Sequence, residues 1–204
     1  MIFDGYWRLE LAQSRMRLKF YHFISKFIYS EYLHHKVNKE ILLSAAAIRK
    51  ITDDELEFKN SDYYNTPHYP MPYKTVRVDE EGNPYLEEPT DVDFKKPLDP
   101  PELAILDSVV TLVKYPFIGD ESFILNKPIL EDYDQSRKEI VKIPLREVCN
   151  QIIHSYVWGT ITRNGKEVYG ILMVSDRKKK EFIYLLELKE WMNVLETCAF
   201  KSTV

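Results

Sequence analysis

Residues 156–188 read YVWGTITRNGKEVYGILMVSDRKKKEFIYLLEL, and this stretch indicates the fold class directly. Asn164-Gly165 lies between two runs rich in β-branched and aromatic residues, and this dipeptide favours the two-residue turn of a β-hairpin. The charged run Asp176–Lys180 marks a second turn, after which a third strand is predicted. A terminal helix is predicted over about 189–200. Residues 157–204 should therefore form a three-stranded antiparallel meander followed by a helix.

The first part of the chain, residues 1–57, predicts a hairpin of two helices. Six apolar residues recur at spacings of three and four, which predicts one helical stripe facing the core. These residues are Leu9, Ala12, Met16, Phe20, Phe23 and Phe27. A hinge is expected near residues 33–35, with a second helix from about Val37 to Leu56. Its small residues 44–47 allow another helix to approach closely.

Residues 58–101 differ in texture and predict a surface strap rich in proline, tyrosine and acidic residues. Eight of the eleven prolines lie here, which excludes long helices. Residues 51–100 carry thirteen Asp/Glu against five Lys/Arg, whereas residues 1–50 carry nine Lys/Arg against four Asp/Glu. A short strand is expected over 73–78. The segment is interpreted as packing on a single domain spanning 1–204, with a mobile lid as the alternative.

Composition excludes several classes of function. A net charge of −4 gives no global basic field for non-specific binding to nucleic acid. Two cysteines cannot build a disulfide framework or a thiolate zinc site, and they favour a reducing compartment. The sequence shows no leader and no apolar stretch long enough to cross a bilayer. We therefore expect a cytoplasmic protein that binds no membrane, metal or small-molecule cofactor.

Residues 102–156 are predicted to add helices to the N-terminal pair. The apolar run Leu103–Tyr115 fits either a helix or a buried strand, and Pro101-Glu102 resembles a helix start and favours the helix. A second helix is predicted over 144–156, also starting at a proline. The expected fold class is α+β, in which a helical bundle is joined to the C-terminal meander.

The helix predicted over 144–156 carries the only residues with catalytic potential above background. Leu145, Cys149, Ile152 and Tyr156 form its apolar stripe, whereas polar residues spaced by four line a neighbouring face. The polar residues are Arg146, Asn150 and His154. The amide could fix the tautomer of the imidazole one turn away. Arg146 lies about 12 Å from His154 along the axis, too far to grip the same phosphate oxygen.

These residues carry a resemblance to a known superfamily. Asn150-Gln151-Ile152-Ile153-His154 resembles the Asn-x-x-x-His part of the HEPN motif. Residues 44–50, SAAAIRK, are more loosely similar to an earlier helix of HEPN-like bundles. The resemblance implies a helical-bundle domain, often dimeric, found in RNA-cleaving toxins, antiviral factors and non-catalytic relatives.

In active HEPN members a His and an Arg cleave RNA without metal, the ribose 2′-hydroxyl attacking the adjacent phosphate. The resemblance implies that His154 is the general acid/base and that Asn150 orients it or contacts the phosphate. The family's Arg usually precedes the Asn directly, and Cys149 stands there in this chain. Arg146, or Arg49 of the preceding helix, would have to stabilise the phosphorane charge. Alternatively, Arg49 pairs with Asp53 within its own helix.

Two functions from different classes stay open after the sequence alone. The first is an RNA-directed, metal-independent endoribonuclease that uses His154, Asn150, Arg146 and Arg49. The second is a non-catalytic HEPN-like module in which the same polar row forms a dimer or partner interface. The corresponding partners are RNA in the first case and a second copy or another protein in the second.

Overall fold

A computed structural model of the chain describes residues 4–67, 75–78, 84–87, 105–119, 130–175 and 177–200. The chain divides into two compact units. The first comprises residues 1–55 and 103–203, and the second comprises residues 56–102 with residue 204. The predicted strap therefore belongs mainly to the second unit.

The described helices and strands have the following bounds. The helices are α1 (Asp4–Ser25), α2 (Glu31–Lys59), α3 (Asp62–Asn65), α4 (Leu145–Ile153) and α5 (Leu188–Phe200). The strands are β1 (Thr75–Val78), β2 (Pro84–Glu87), β3 (Val109–Pro116), β4 (Glu139–Pro144), β5 (Ser155–Arg163), β6 (Glu167–Ser175) and β7 (Phe182–Glu187). The α+β class is thus confirmed.

The first unit is built on a five-stranded antiparallel sheet with the order β4-β3-β7-β6-β5. The predicted meander is confirmed as β5, β6 and β7, and the terminal helix as α5. Asn164 and Gly165 have φ angles of 51° and 67°, as the Asn-Gly hairpin turn requires. The sheet nevertheless has two strands more than the sequence predicted.

The predicted helix Leu103–Tyr115 is wrong, because its described part contains the strand β3. This strand pairs with β4 on one side and β7 on the other. Val110 and Leu112 contribute to the core beneath the helices, while Val113 and Tyr115 pack in a second cluster. Apolar residues on both faces erase the alternation that marks a half-buried strand. The expected bundle therefore lacks this helix, and the sheet gains β3 and β4.

The predicted helix over 144–156 is shorter in the structure. It begins at Leu145 as expected and ends at Ile153, so that Tyr156 belongs to β5. The predicted hairpin of two helices is present as α1 and α2. Its turn lies at residues 26–30, however, and the expected hinge residues 33–35 belong to the start of α2.

A buried carboxylate joins α1 to α2. Glu40 of α2 is buried, and its Oε2 accepts a hydrogen bond of 3.1 Å from the Ser14 hydroxyl. The Arg17 guanidinium lies 2.9 Å from the same oxygen. Since an unpaired buried carboxylate is costly, these two partners on α1 fix how the helices meet.

The apolar stripe of α1 predicted to face the core is wrong in direction. Five of its six members are between 58% and 65% exposed: Leu9, Met16, Phe20, Phe23 and Phe27. The buried side of α1 instead presents Leu11, Ser14, Leu18 and Ser25. Two serines made this side look solvent-facing in the sequence, but both are bonded, Ser14 to Glu40 and Ser25 to the Val168 amide of β6.

Trp191 of α5 closes the core beneath the helices. Its side chain is fully buried, and its indole N–H donates a 3.0 Å hydrogen bond to the Ser44 hydroxyl of α2. A serine at this position lets the large ring approach the α2 backbone while satisfying its donor. On the opposite side of the sheet, Tyr133 heads a second apolar cluster with residues of β6 and β7.

The second unit contains α3 and a two-stranded antiparallel sheet. β1 lies within the strand predicted over 73–78, and it pairs with β2. Most of the predicted proline-rich strap lies outside the described residues. Among the described helices, none combines the length and apolarity needed to span a bilayer.

We predict that the bond between Ser44 and Trp191 shows up as a coupling energy. Ser44→Ala should lower the free energy of unfolding by about 1–3 kcal/mol, because it leaves the indole N–H buried and unpaired. Trp191→Phe removes that donor, so the double variant should lose less than the sum, by roughly 0.5–1.5 kcal/mol. Urea denaturation measures all three.

Thr52→Ala is the matched control, since Thr52 is buried on α2 and its hydroxyl donates to the Arg49 carbonyl instead. The loss of unfolding free energy caused by Thr52→Ala should add to the loss caused by Trp191→Phe. If the losses of unfolding free energy from Ser44→Ala and Trp191→Phe were additive, the assigned contact between Ser44 and Trp191 would be contradicted.

Candidate functional site

The predicted site lies on α4, between β4 and β5. Leu145, Val148, Cys149 and Ile152 are buried on the inner side of this nine-residue helix. The Leu145 amide donates a 2.8 Å hydrogen bond to the Ser108 carbonyl, which anchors the start of α4 beside β3. The polar row is placed on the outer side, as the spacing predicts.

His154 caps α4 and projects into solvent. Its backbone N–H donates a 3.0 Å hydrogen bond to the Asn150 carbonyl, and its φ of −107° and ψ of 14° end the helix. The Asn150 amide oxygen is buried and accepts no hydrogen bond from the described residues. The structure therefore shows a main-chain contact between the two residues and not the predicted contact between amide and imidazole.

The two arginines meet at one carboxylate, Asp53 of α2. Arg146 donates to Asp53 Oδ1 through both Nε and Nη2, at 3.0 Å and 2.8 Å. Arg49 Nε donates to both carboxylate oxygens, at 3.0 Å and 2.9 Å. The alternative in which Arg49 pairs with Asp53 on its own helix is thus observed. We call these three side chains the Asp53 brace, since they tie α2 to α4.

The brace also changes the acidity of Asp53. Partial burial by itself raises the pKa of this carboxyl, but hydrogen bonds and charge from Arg146 and Arg49 outweigh it and hold the pKa below its ordinary value. The carboxylate is therefore charged at neutral pH, and it offsets one of the two guanidinium charges.

The predicted catalytic set is thus divided between two places. Arg49 and Arg146 lie in the brace, and His154 lies about 12 Å from Arg146 along α4. Asn150 lies between them on the same helix. The four residues line one side of the structure without forming a constellation around a shared phosphate position, and their catalytic role stays a prediction.

Cys149 occupies the position where the family motif carries its arginine. The side chain is fully buried in the core beneath the helices, and burial raises the pKa of its thiol well above the ordinary range. Cys198 of α5 is buried in the same core, and both cysteines are free. The thiol is therefore a small apolar packing group here and not a nucleophile.

Several basic residues among the first fifty form ion pairs within the first unit. Ion pairs join Arg15 to Glu196, Arg17 to Glu10 and Glu40, and Lys26 to Glu167. These acids come from α1, α2, β6 and α5. The described residues contain no group of three His, Cys, Asp or Glu side chains placed to hold a metal.

A shallow cleft of about 150 Å³ lies beside α5. The start of β3 and the helices α4 and α5 line it, with Ser108, Leu145 and Glu190 among the lining residues. None of the four predicted site residues does. Nothing in its lining matches a nucleophile beside a base.

The most unusual surface of the described residues is one that the sequence analysis assigned to the core. Six large apolar side chains, each more than half exposed, run along α1 and just past its end. They are Tyr6, Leu9, Met16, Phe20, Phe23 and Phe27, and we call them the outer face of α1. Contiguous exposed apolar surface of this size marks an interaction site.

The signal for this surface was present in the sequence. Leu11 and Leu18 lie on the opposite side of the helix from Leu9, Met16 and Phe20, so α1 is apolar on two sides. A helix that is apolar on two sides must be covered on both. The spacing of apolar residues in the sequence revealed only the side of α1 that carries the bulkier side chains.

Comparison of the chain with protein-family models, with curated proteins and with solved structures yields no match in any of the three.

The Asp53 brace predicts a pH-dependent contribution to stability. Asp53→Asn should lower the free energy of unfolding at pH 7 by about 1 kcal/mol, a modest value because the side chain is 40% exposed and its ion pairs are screened. Because the folded-state pKa of Asp53 is depressed, this stabilisation is complete above its unfolded pKa and is lost as the pH falls through the folded pKa.

Urea denaturation of both proteins between pH 7 and pH 2 measures the effect. The two curves of stability against pH should converge at the acid end. Asp54→Asn, which removes the exposed pair with Lys50, is the control and should cost less. A constant difference at all pH values would contradict the brace.

Proposed function

We propose that this protein is a non-catalytic interaction module that binds its partner through the outer face of α1. The observation that carries the proposal is the two-sided helix. One side of α1 packs against α5 and β6 in the core of the first unit, while the other presents six large apolar side chains to solvent. A partner that binds the outer face thus completes the burial of α1.

The arrangement around α4 supports the same conclusion. Both candidate arginines donate to Asp53, and His154 has no hydrogen-bonded ring partner among the described residues. General acid/base catalysis of phosphoryl transfer needs a positioned imidazole, and the phosphorane needs a cation beside it. The polar row of α4 therefore serves better as a structural tie between helices than as a cleavage site.

The composition of the outer face of α1 also supports the proposal. Four of its six members, Tyr6, Phe20, Phe23 and Phe27, are aromatic and more than half exposed. Exposed aromatic side chains supply much of the binding energy at protein interfaces because they bury a large area with few rotatable bonds.

An RNA-directed HEPN-like ribonuclease is the competing proposal, and one assay separates the two. We expect the purified protein to leave single-stranded RNA intact in EDTA, because the two candidate cations, Arg49 and Arg146, are both engaged by Asp53. His154→Ala should behave identically, and a known metal-independent ribonuclease serves as the positive control. Cleavage that yields cyclic-phosphate ends and is lost in His154→Ala would contradict the non-catalytic proposal.

The availability of the outer face is tested by stability at high dilution, where no partner is bound. Phe20→Glu combined with Phe23→Glu should change the free energy of unfolding by no more than about 0.5 kcal/mol, as for other exposed positions. Leu18→Ala, two residues away on the buried side, should cost about 2–5 kcal/mol.

Chemical denaturation followed by tryptophan fluorescence measures both variants. If the double glutamate variant lost as much stability as Leu18→Ala, the outer face would be covered by the chain itself, and the proposal would fall.

A further inference from the structure

We infer that the partner for the outer face of α1 is a second copy of this chain, bound through an antiparallel coiled coil of the two α1 helices. This inference rests on the proposed function, since it names the occupant of the same surface. Three properties of that surface point to it: its spacing, its area and the charges along its edges.

The spacing is that of a coiled coil. Seven positions follow the alternation of three and four that repeats every seven residues. They are Tyr6, Leu9, Gln13, Met16, Phe20, Phe23 and Phe27. Within α1 the pattern runs from Tyr6 to Phe23, about 26 Å, and Phe27 continues it just past the end of the helix at Ser25. Gln13 is its one polar member, and a heptad spacing of this length fits another helix better than a flat surface or an extended peptide.

The remaining heptad positions agree with this geometry. Leu11, Leu18 and Ser25 lie opposite the outer face, at the position that points directly away from a coiled-coil partner, and all three are buried in their own unit. Two first units can therefore stand back to back with the α1 helices between them. A partner on the outer face displaces no contact of the existing core.

The area is sufficient for a dimer. Six large apolar side chains of ~150–250 Å² each, about 60% exposed, offer ~700 Å² per copy. A standard interface takes about 800 Å² from each partner.

The charges select the antiparallel orientation. In an antiparallel pair, the same edge of each helix faces its counterpart, and here that edge carries Glu10 near the N-terminus and Arg17 in the second half. Glu10 of each copy, which pairs with Arg17 of its own chain, then also lies across from Arg17 of the other copy. A parallel pair brings opposite edges together, which places Ala12 across from Arg17 and Lys19 across from Ile24, with no attraction.

The orientation fixes a register. With the two-fold axis between residues 14 and 15, Leu9 of one copy faces Phe20 of the other, Tyr6 faces Phe23, and Gln13 faces Met16. Each contact occurs twice, as an isologous interface requires. In this register the polar Gln13 lies close to the axis and faces Met16, whereas a shift of one heptad would place its amide across from Leu9 or from Phe23.

The first measurement is the mass in solution. Sedimentation equilibrium from nanomolar to high micromolar protein should show a mass that rises from the 24.2 kDa of one chain toward twice that value. Phe20→Glu should remain a single chain throughout. Ile140→Glu is the matched control, because Ile140 is equally apolar and exposed but lies on β4, and its mass should follow that of the unaltered protein.

The second measurement is the orientation. A Leu9→Cys protein mixed with a Phe20→Cys protein should form an intermolecular disulfide under mild oxidation, whereas either alone should not. In the proposed register the two copies of position 9 lie about 16 Å apart along the axis, beyond the ~7 Å limit between Cα atoms for a disulfide. The natural cysteines are buried and do not interfere.

The outcomes are distinguishable. Disulfides within each single variant would overturn the antiparallel arrangement in favour of a parallel one. If the mass stayed that of a single chain at every concentration while the Phe20→Glu/Phe23→Glu double variant remained stable, the second copy would be excluded as the partner. The proposal of an interaction module would still hold. Co-sedimentation of that single chain with phosphatidylserine vesicles would assign the face to lipid instead. Unfolding of the Phe20→Glu/Phe23→Glu double variant at high dilution would contradict both the interaction module and the dimer.

Discussion

One helix cannot bury two opposite apolar sides against a single sheet, and this constraint on α1 governs the arrangement of the first unit. The side with Leu11 and Leu18 packs on α5 and β6, which leaves the bulkier side uncovered. The choice is set by polar groups on the inner side. Ser14 and Arg17 satisfy Glu40, while Ser25 binds the backbone of β6, and neither requirement could be met with the helix turned over.

In α4, a polar residue that the sequence assigned to a catalytic site serves a structural role. The long side chain of Arg146 reaches across to Asp53 on α2, where Arg49 already donates. Two guanidiniums on one carboxylate hold the helices together, and both lose the freedom to bind another anion. Cys149 is buried beneath them, and the candidate group that stays exposed at the end of α4 is the imidazole of His154.

Local chemistry in the sequence predicted part of this fold well. The Asn164-Gly165 turn and the strands around it were read correctly because a two-residue hairpin is encoded by adjacent residues. The pairing of Arg49 with Asp53 also follows from a spacing of four. The strand β3 was missed, since its two apolar faces show no alternation and its neighbours β4 and β7 are distant in sequence.

The candidate site was harder to predict for the same reason. The shared face of Arg146, Asn150 and His154 follows from the spacing, but the carboxylate that engages Arg146 is 93 residues away in the chain. Which side of α1 faces the core was equally difficult to predict from the sequence. Its core-facing serines look polar until their partners on α2 and β6 are known, and a stripe of phenylalanines looks like core until the other side is found buried.

Oxidative footprinting of the methionines as a function of protein concentration tests the two-sided helix most directly. Met16 lies on the outer face of α1, while Met173 is fully buried in the sheet and serves as the internal reference. The account predicts that Met16 is oxidised rapidly in dilute protein and becomes protected as the concentration rises, while Met173 stays protected throughout. Protection of Met16 at the lowest concentration, or undiminished oxidation at the highest, would contradict it.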